Sequence, residues 1–232
     1  MSGARMIFIT GTDTGSGKTV LTRLLLAFLR SQGTHALAMK PVCTGSREDV
    51  YGLQRHQRGW LEDDEVNPFH YSLPAAPILA ANRARQKPGI QAIDRAVREV
   101  RKQCDVLLVE GAGGLLVPLN EKETWLNGVM QWECQVLVAA RNQLGVINHA
   151  TLTMDRLNGV GVQKKCVILM NRKDAGAQSQ VEQQNASILN KTVKNARIFE
   201  LPYLGRVGVK SIEKAVDQKK IKKVLAEILS LR

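Results

Sequence analysis

A glycine-rich segment near the start of the chain has the residues of a phosphate-binding loop. It runs Gly-Thr-Asp-Thr-Gly-Ser-Gly-Lys-Thr from Gly11 to Thr19. Glycines permit a tight turn that points backbone N–H groups at an anion, and the N-terminus of a following helix adds positive potential. In such a loop Lys18 reaches the β- and γ-phosphates and the Thr19 hydroxyl ligates magnesium. The strict motif has glycine where this chain has Thr12, so the match fails at one position.

Two more charged residues are expected beside this loop. Glu110 closes the apolar run 106–109 and precedes a glycine-rich turn, and Lys40 ends the second predicted strand. Ligands of open parallel sheets bind outside the carboxyl ends of the strands. This position favours Glu110 as a magnesium ligand and Lys40 as a second cation at the phosphate. The alternatives are a surface carboxylate that starts a turn and a solvated lysine.

A second carboxylate for a metal ion could come from the loop that follows Lys40. Asp49, Asp63 and Asp64 are the rival candidates there. The four histidines have no metal-ligand spacing, and no serine or cysteine lies in a nucleophile signature. These residues therefore indicate binding and transfer of a phosphoryl group rather than covalent catalysis.

The elements that position these residues alternate between strand and helix. Apolar runs predict strands at 6–10, 36–42, 105–110, 135–140, 166–170 and 197–201. Helical spacing predicts helices at 20–29, 77–86 and 90–103, and from about residues 148, 177 and 211. The stretch 47–77 is expected to be irregular. The alternation predicts an α/β fold of the P-loop NTPase type, a mainly parallel sheet flanked by helices, in a single domain over 1–232.

Composition places the chain among globular proteins. Hydrophobic residues make up 44% of the 232 residues and charged residues 23%, which excludes intrinsic disorder. No apolar run reaches the roughly 18 residues of a membrane span, and the start lacks a secretory signal. The four cysteines have no paired spacing for zinc or a redox couple. We therefore expect reduced thiols and a cytoplasmic location.

The net charge of +12 favours anionic ligands and makes nucleic acid one possible partner. Aromatic residues are only 4% of the chain, too few for an obvious base-stacking surface. No base-reading motif is recognisable. The basic residues of the predicted helix 90–103 fit a solvated face better than a binding stripe. We therefore expect small anionic substrates and no nucleic-acid partner.

The C-terminal segment has the pattern of an amphipathic helix. Apolar residues at 221, 224, 225, 228 and 229 accompany lysines at 219, 220, 222 and 223. A helix on a membrane surface has this pattern, but a closing helix packed on the sheet has it too and is favoured. The membrane interpretation belongs to an alternative function, a nucleotide-switch ATPase of the Min/Par type. Such proteins carry a lysine near the start of the phosphate loop, where this chain has residues 12–14, Thr-Asp-Thr.

The motifs occur together in an order that resembles one enzyme family. After the phosphate loop come Lys40-Pro41-Val42-Cys43-Thr44-Gly45, Val66-Asn67-Pro68, Glu110-Gly111-Ala112-Gly113-Gly114 with Val117-Pro118-Leu119, and Leu144-Gly145-Val146-Ile147-Asn148-His149. This series, from residue 6 to about residue 204, resembles the dethiobiotin synthetases. Those enzymes use ATP to form a cyclic urea from CO2 and 7,8-diaminononanoate, through a carbamate and a carbamic-phosphoric anhydride. The variant phosphate loop is typical of them.

The resemblance implies catalytic and substrate-binding roles for five residues. Lys18, Lys40 and Thr14 would neutralise the carbamate and the γ-phosphate. Thr44 would contact the diamine, and Asn148 would do so from the partner subunit of a homodimer. The implied substrates are therefore the diamine, CO2 and ATP, and no membrane partner is expected.

The resemblance also implies a metal site and a nucleotide site. Magnesium would be held by Thr19, Asp49 and Glu110. The residues expected to bind ATP, the co-substrate, are Gly15, Ser16, Gly17, Lys18, Thr19, Val20, Asp49, Glu110, Gly111, Ala112, Gly113, Asn171, Arg172, Pro202, Tyr203 and Leu204. Among these, Asn171 and the segment 202–204 would contact the adenine.

Overall fold

A computed structural model of the chain describes residues 4–57, 59–171, 180–205 and 208–231. Its strands are β1 Arg5–Gly11, β2 Ala36–Met39, β3 Val42–Thr44, β4 Phe69–Tyr71, β5 Val106–Gly114, β6 Cys134–Arg141, β7 Lys165–Met170 and β8 Arg197–Leu201. Six of them form a sheet in the order β2-β5-β1-β6-β7-β8, with parallel pairing throughout. Strands β3 and β4 pair in a separate small sheet.

Helices connect the strands and flank the sheet. They are α1 Lys18–Ser31, α2 Glu48–Gln54, α3 Asp63–Val66, α4 Pro77–Ala84, α5 Ile90–Arg101, α6 Trp125–Gln131, α7 Val146–Gly159, α8 Gln180–Thr192, α9 Val209–Asp217 and α10 Lys219–Leu229. The predicted fold class, a mainly parallel sheet flanked by helices, is confirmed.

The central strands are the most apolar parts of the chain. Residues 6–9, 106–109 and 136–140 are buried apolar runs without polar alternation, which is typical of parallel strands covered on both faces. Strand β1 lies between β5 and β6, with Ile9 opposite Glu110 and Gly11 opposite both Gly114 and Ala139. The carboxyl ends of these three strands therefore meet at one edge of the sheet, directly below the phosphate loop.

The sequence-based prediction was wrong where the chain leaves this sheet. The strand expected at 36–42 is divided at Pro41, which has no N–H to donate to a ladder. The backbone N–H of Lys40 donates instead to the Val66 carbonyl at 2.9 Å, and β3 joins the small sheet.

Short elements were also missed by the sequence-based prediction. The stretch 47–77, expected to be irregular, contains α2, α3 and β4, and α6 was not predicted. These elements are three to seven residues long, too short for a periodic signal. Residue 177, the expected start of α8, lies outside the described residues.

The C-terminal helix α10 packs into the fold, as the favoured interpretation predicts. Its apolar positions Ile221, Leu225 and Ile228 are fully buried, and it contacts β8, α9 and α1. The Gln135 side-chain amide donates to the Ile228 carbonyl at 2.8 Å. The apolar stripe is thus covered by this chain itself. Over the described ranges, none of the helices combines the length and the apolar character that crossing a bilayer requires.

Candidate functional site

The phosphate loop joins β1 to α1 and requires glycine at two positions. Gly15 and Gly17 have φ values of +68° and +97°, in the left-handed region that glycine adopts without steric cost. Gly17 is also the N-cap of α1, so the unpaired N–H groups of the first helical turn open toward the loop. A Cβ atom on Gly17 would lie 2.9 Å from Cγ of Met170. The loop therefore packs against Met170 at the end of β7.

Two polar side chains of the loop are buried. Lys18 is 6% exposed, and its ammonium donates to the Asp13 carbonyl at 3.0 Å. Burial lowers the pKa of Lys18 from its ordinary value, and the nearby Glu110 carboxylate offsets only part of this. Ser16 is 2% exposed, and its hydroxyl has no hydrogen-bond partner among the described residues. The Lys18 ammonium and the Ser16 hydroxyl can both donate hydrogen bonds to a bound anion.

Beside the loop lies a cluster of four side chains, Thr19, Lys40, Asp49 and Glu110, which we call the Lys40 cluster. Glu110 is fully buried, and its Oε1 accepts from the Thr19 hydroxyl at 2.8 Å and from the Lys40 ammonium at 3.0 Å. Lys40 donates as well to the Asp49 carboxylate. Oε2 of Glu110 has no hydrogen-bond partner in the described part of the chain. The cluster thus keeps a buried carboxylate oxygen available for a ligand.

Charge attraction dominates over burial within the Lys40 cluster. Burial by itself disfavours the Lys40 ammonium, but the carboxylates of Glu110 and Asp49 outweigh it and raise the pKa of Lys40 well above its ordinary value. Burial also disfavours the charged form of Asp49, and the Lys40 ammonium again outweighs it, so the pKa of Asp49 is lowered. Lys40 and Asp49 therefore both favour their charged forms.

Of the three carboxylates that rivalled one another in the sequence, only Asp49 joins this cluster. Asp64 forms an ion pair with Arg47 at 3.2 Å, and Asp63 accepts from the Gln54 amide at 3.1 Å. Helix α2, which begins at Glu48, directs Asp49 back toward Lys40. The residue pattern left the three carboxylates open and only the family resemblance favoured Asp49; the short helix that places Asp49 beside Lys40 was not predicted.

Most of the expected loop and cluster residues line one cavity of about 400 Å³. They are Thr14, Gly15, Gly17, Lys18, Thr19, Val20, Lys40, Thr44, Asp49, Ala112 and Gly113. The volume lies within the range of small-molecule sites. Cys43 also lines the cavity and was not predicted; burial raises the pKa of its thiol, which disfavours the thiolate. Gly111 instead packs on the Phe8 ring, where a Cβ would lie 3.0 Å from Cζ.

The residues expected at the adenine lie at the ends of β7 and β8. The backbone N–H of Asn171 donates to the Leu201 carbonyl at 3.0 Å. Asn171 is therefore a neighbour of the segment 202–204, which follows Leu201. Tyr203 is 42% exposed and Asn171 is half-buried. Met170, next to Asn171, is the residue against which Gly17 packs. Arg172 lies outside the described residues.

One buried polar residue at this edge was missed by sequence reasoning. Asn142 follows β6 and is 2% exposed, and its NH2 group donates to Oδ1 of Asn171 at 2.8 Å. Asn185 on α8 donates to Oδ1 of Asn142 at 2.8 Å. Position after a strand does not select Asn142, because the strand predicted at 135–140 is followed by Arg141; burial is what distinguishes Asn142.

Asn148, expected to contact the substrate, lies apart from the cavity of its own chain. It is exposed on the first turn of α7 and does not line the 400 Å³ cavity. Leu144, four residues earlier, is 89% exposed. The start of α7 therefore presents a polar and an apolar side chain to the surface.

Comparison with known proteins identifies the family. A family model described as an AAA domain matches residues 5–211. The ATP-dependent dethiobiotin synthetase of Anaeromyxobacter sp. (strain Fw109-5) is 38% identical over 169 residues, which cover 71% of this chain and 76% of that protein. The chain belongs to the dethiobiotin synthetase family. The synthetase of Aliivibrio fischeri (strain MJ11) is 30% identical over 219 residues, 90% of this chain and 95% of that protein.

Solved structures confirm the fold of this synthetase-family chain. The MinC:MinD cell division protein complex of Aquifex aeolicus matches with a TM-score of 0.62 and 17% sequence identity, covering 99% of this chain and 97% of that chain. At this identity the likeness shows the fold alone, an α/β fold of the P-loop NTPase type. The curated relatives reported above carry the synthetase name, and the Min/Par alternative is therefore not favoured.

Proposed function

We propose that this chain catalyses the ATP- and magnesium-dependent carboxylation and ring closure of 7,8-diaminononanoate to dethiobiotin. The observation that carries the proposal is the Lys40 cluster beside the phosphate loop. Together, the cluster and the loop bring two buried lysines, Lys18 and Lys40, to one cavity that Thr44 also lines. Such a cavity suits a reaction in which both reactants, a carbamate and a triphosphate, are anions.

The residues of the cluster fit a magnesium ion. Thr19, Asp49 and Glu110 contribute hydroxyl and carboxylate oxygens, and Oε2 of Glu110 is buried without a partner among the described residues. Within those residues no three His, Cys, Asp or Glu side chains gather at one point. This suits magnesium, which uses one or two carboxylates together with phosphate oxygens and water. When bound, the ion would neutralise charge on the phosphates of ATP.

The loop and the two lysines would align the first chemical step. One amine of the diamine adds to CO2 and loses a proton, which gives a carbamate anion. A carbamate oxygen then attacks the γ-phosphorus, the bond to the bridging oxygen of ADP breaks, and a carbamic-phosphoric anhydride results. Phosphoryl transfer depends on alignment and charge neutralisation more than on covalent help. Lys18, Lys40 and the Thr14 hydroxyl line the cavity and would supply both.

Ring closure would need little further chemistry from the protein. The second amine attacks the carbonyl carbon of the anhydride, phosphate leaves, and a proton is released. Because both reacting groups belong to one molecule, the effective molarity is of order 10⁵ M or more. The role of Thr44, at the end of β3, would be to hold the diamine in the orientation that allows this attack.

A homodimer would complete the substrate site. Asn148 is exposed and lies outside the cavity of its own chain, as a residue that serves a neighbouring subunit must. In a two-fold dimer each surface patch meets its own copy. Each active site would then combine the phosphate loop of one subunit with Asn148 of the other. Asn171 and the segment 202–204 would contact the adenine of ATP.

Product analysis tests the proposed function. The purified protein is incubated with MgATP, bicarbonate and 7,8-diaminononanoate, and the products are analysed by mass spectrometry. We expect ADP and a cyclic urea with the mass of dethiobiotin, and neither product with the Lys18→Ala variant. Hydrolysis of ATP without any cyclic urea would refute the proposal.

A further inference from the structure

Three asparagine side chains form a chain of hydrogen bonds behind the end of β7. Asn142 follows β6, and Asn171 follows the neighbouring strand β7. Because Arg141 pairs with Met170 in the sheet, the two asparagines lie side by side. The backbone N–H of Asn142 donates to the Met170 carbonyl at 3.0 Å. Asn142 and Asn185 are each 2% exposed. Asn171 is only half-buried. Its buried side is hydrogen-bonded to Asn142, which is in turn hydrogen-bonded to Asn185.

A backbone carbonyl fixes the orientation of the central amide. The NH2 group of Asn142 donates to the Glu182 carbonyl at 3.2 Å and to Oδ1 of Asn171 at 2.8 Å. Since a carbonyl can only accept, the NH2 group and not Oδ1 of Asn142 must face Glu182. Oδ1 of Asn142 then faces Asn185, which donates to it at 2.8 Å. Rotation of the Asn142 amide by 180° would place its oxygen against the Glu182 carbonyl and Oδ1 of Asn171, and its NH2 group against the NH2 group of Asn185.

The orientation of Asn142 in turn fixes that of Asn171. Asn171 must present its oxygen to the NH2 group of Asn142, so its own NH2 group points the other way. In the described part of the chain this NH2 group has no hydrogen-bond partner, while Oδ1 keeps a second lone pair. Asn171 therefore offers a donor and an acceptor, in a fixed order, at the end of β7.

We propose that Asn142 is a positioning residue that makes the nucleotide site selective for adenine over guanine. The inference rests on the proposed function, in which Asn171 contacts the base. An oriented asparagine pairs with adenine by donating to a ring nitrogen and accepting from the 6-amino group. Guanine carries a carbonyl oxygen at that carbon, which would face the lone pair of Oδ1. If Asn171 could turn over, it would lose this distinction.

Nucleotide binding by variants tests this inference. The dissociation constants of MgATP and MgGTP are measured by calorimetry for the wild type and for Asn142→Asp, which replaces the donor by an acceptor at constant size. We expect the wild type to prefer ATP and the variant to lose roughly tenfold of that preference. The control is Asn190→Asp on the same helix as Asn185; Asn190 is exposed and bonds only to the Ala186 carbonyl among the described residues. Its preference should equal that of the wild type.

A double variant separates positioning from a general structural effect. If Asn142 acts through Asn171, adding Asn142→Asp to Asn171→Ala should leave the ATP-to-GTP ratio unchanged. An equal loss in both backgrounds, an unchanged ratio in Asn142→Asp, or a wild type without base preference would each overturn the inference. Should Asn142→Asp fail to fold by circular dichroism, Asn185→Ala decides alone: it should lower the ratio by a smaller factor, and an unchanged ratio overturns the inference.

These measurements need neither the diamine nor product formation. A wild type that binds ATP selectively but forms no dethiobiotin would refute the proposed function and leave the role of Asn142 standing. Dethiobiotin formation with equal affinities for ATP and GTP would refute the role of Asn142 and leave the proposed function standing.

Discussion

The two ends of the candidate site are built from different chemistry. At the phosphate end, around β1, β2 and β5, three charged side chains are nearly inaccessible to solvent: Lys18 and Lys40 are 6% exposed and Glu110 is fully buried. At the other end, beyond the carboxyl ends of β6 and β7, two neutral amides are buried, those of Asn142 and Asn185. Burying charge is costly unless the charges are paired. Charged side chains are therefore buried where charge would move during the proposed reaction, and neutral amides are buried where only the adenine would be bound.

This contrast predicts different kinetic consequences at the two ends. Substitutions in the Lys40 cluster should lower turnover, because preorganised charge acts mainly on the transition state. Substitutions among the asparagines should change nucleotide affinity and selectivity with little effect on turnover at saturating ATP. The following predictions test that division.

Within the Lys40 cluster, the largest effect is expected for Lys40→Ala. Removal of one preorganised cation should lower turnover by about 10²–10³, while ATP affinity should change much less because Lys18 and the loop N–H groups remain. Steady-state rates at saturating substrate and calorimetric ATP binding measure the two quantities. The control is Lys102→Ala, which removes an exposed ion pair with Glu99 on the surface. A near-normal rate for Lys40→Ala would mean that the lysine has no part in the reaction.

A subunit-mixing experiment tests the proposed homodimer. The Lys18→Ala and Asn148→Ala variants are each expected to be nearly inactive as homodimers. In a mixed dimer one site would receive both substitutions and the other neither, so random pairing at equal amounts should restore about a quarter of wild-type activity. Rates are measured after the two chains are unfolded and refolded together. No recovery on mixing would place both residues in the site of a single chain.

Gly17 lies where the two ends meet, against Met170. Gly17→Ala should weaken ATP binding about tenfold, since alanine is strained at a φ of +97° and its Cβ would lie 2.9 Å from Met170. Gly33→Ala is the matched control, with a φ of +79° and no atom within 4 Å of its Cβ. The control should lose a similar amount of backbone stability and bind ATP normally. Equal ATP affinity in both variants would exclude a close approach at Gly17.

The smallest expected effect is the pH dependence of stability. Because the pKa of Asp49 is lowered in the folded state, its ion pair contributes fully above the unfolded value of about 3.9 and is lost as pH falls through the folded value. The Lys40 pKa is raised, so its contribution is complete below about pH 10.4 and is lost as pH rises through the folded value.

Denaturant unfolding of the wild type and of Asp49→Asn measures the Asp49 contribution. The difference in unfolding free energy should be constant from about pH 5 to pH 9 and shrink below about pH 4. It should be small, because the Asp49 side chain is 46% exposed. A difference that grows as the pH falls would contradict the ion pair.

The centre of the main sheet could be predicted from the sequence because its strands contain continuous apolar runs. The departure at Pro41 could not, since apolar residues stand on both sides of Lys40 and Pro41 and nothing in the sequence shows that the chain changes sheets there. Lys40 and Glu110 were found because each ends an apolar run at the phosphate edge, although β5 itself continues past Glu110 to Gly114. Asn142 was missed because it stands between Arg141 and Gln143, a polar run typical of a solvated turn; only its burial distinguishes it.

The most direct test of the proposed reaction is the dependence of phosphate release on the diamine. Release is measured with MgATP and bicarbonate, in the presence and absence of 7,8-diaminononanoate, together with the amount of dethiobiotin formed. Because the attacking carbamate is absent without the amine, we expect very slow release without the diamine and one phosphate per dethiobiotin with it. Equal rates of release in both conditions would refute the proposed reaction.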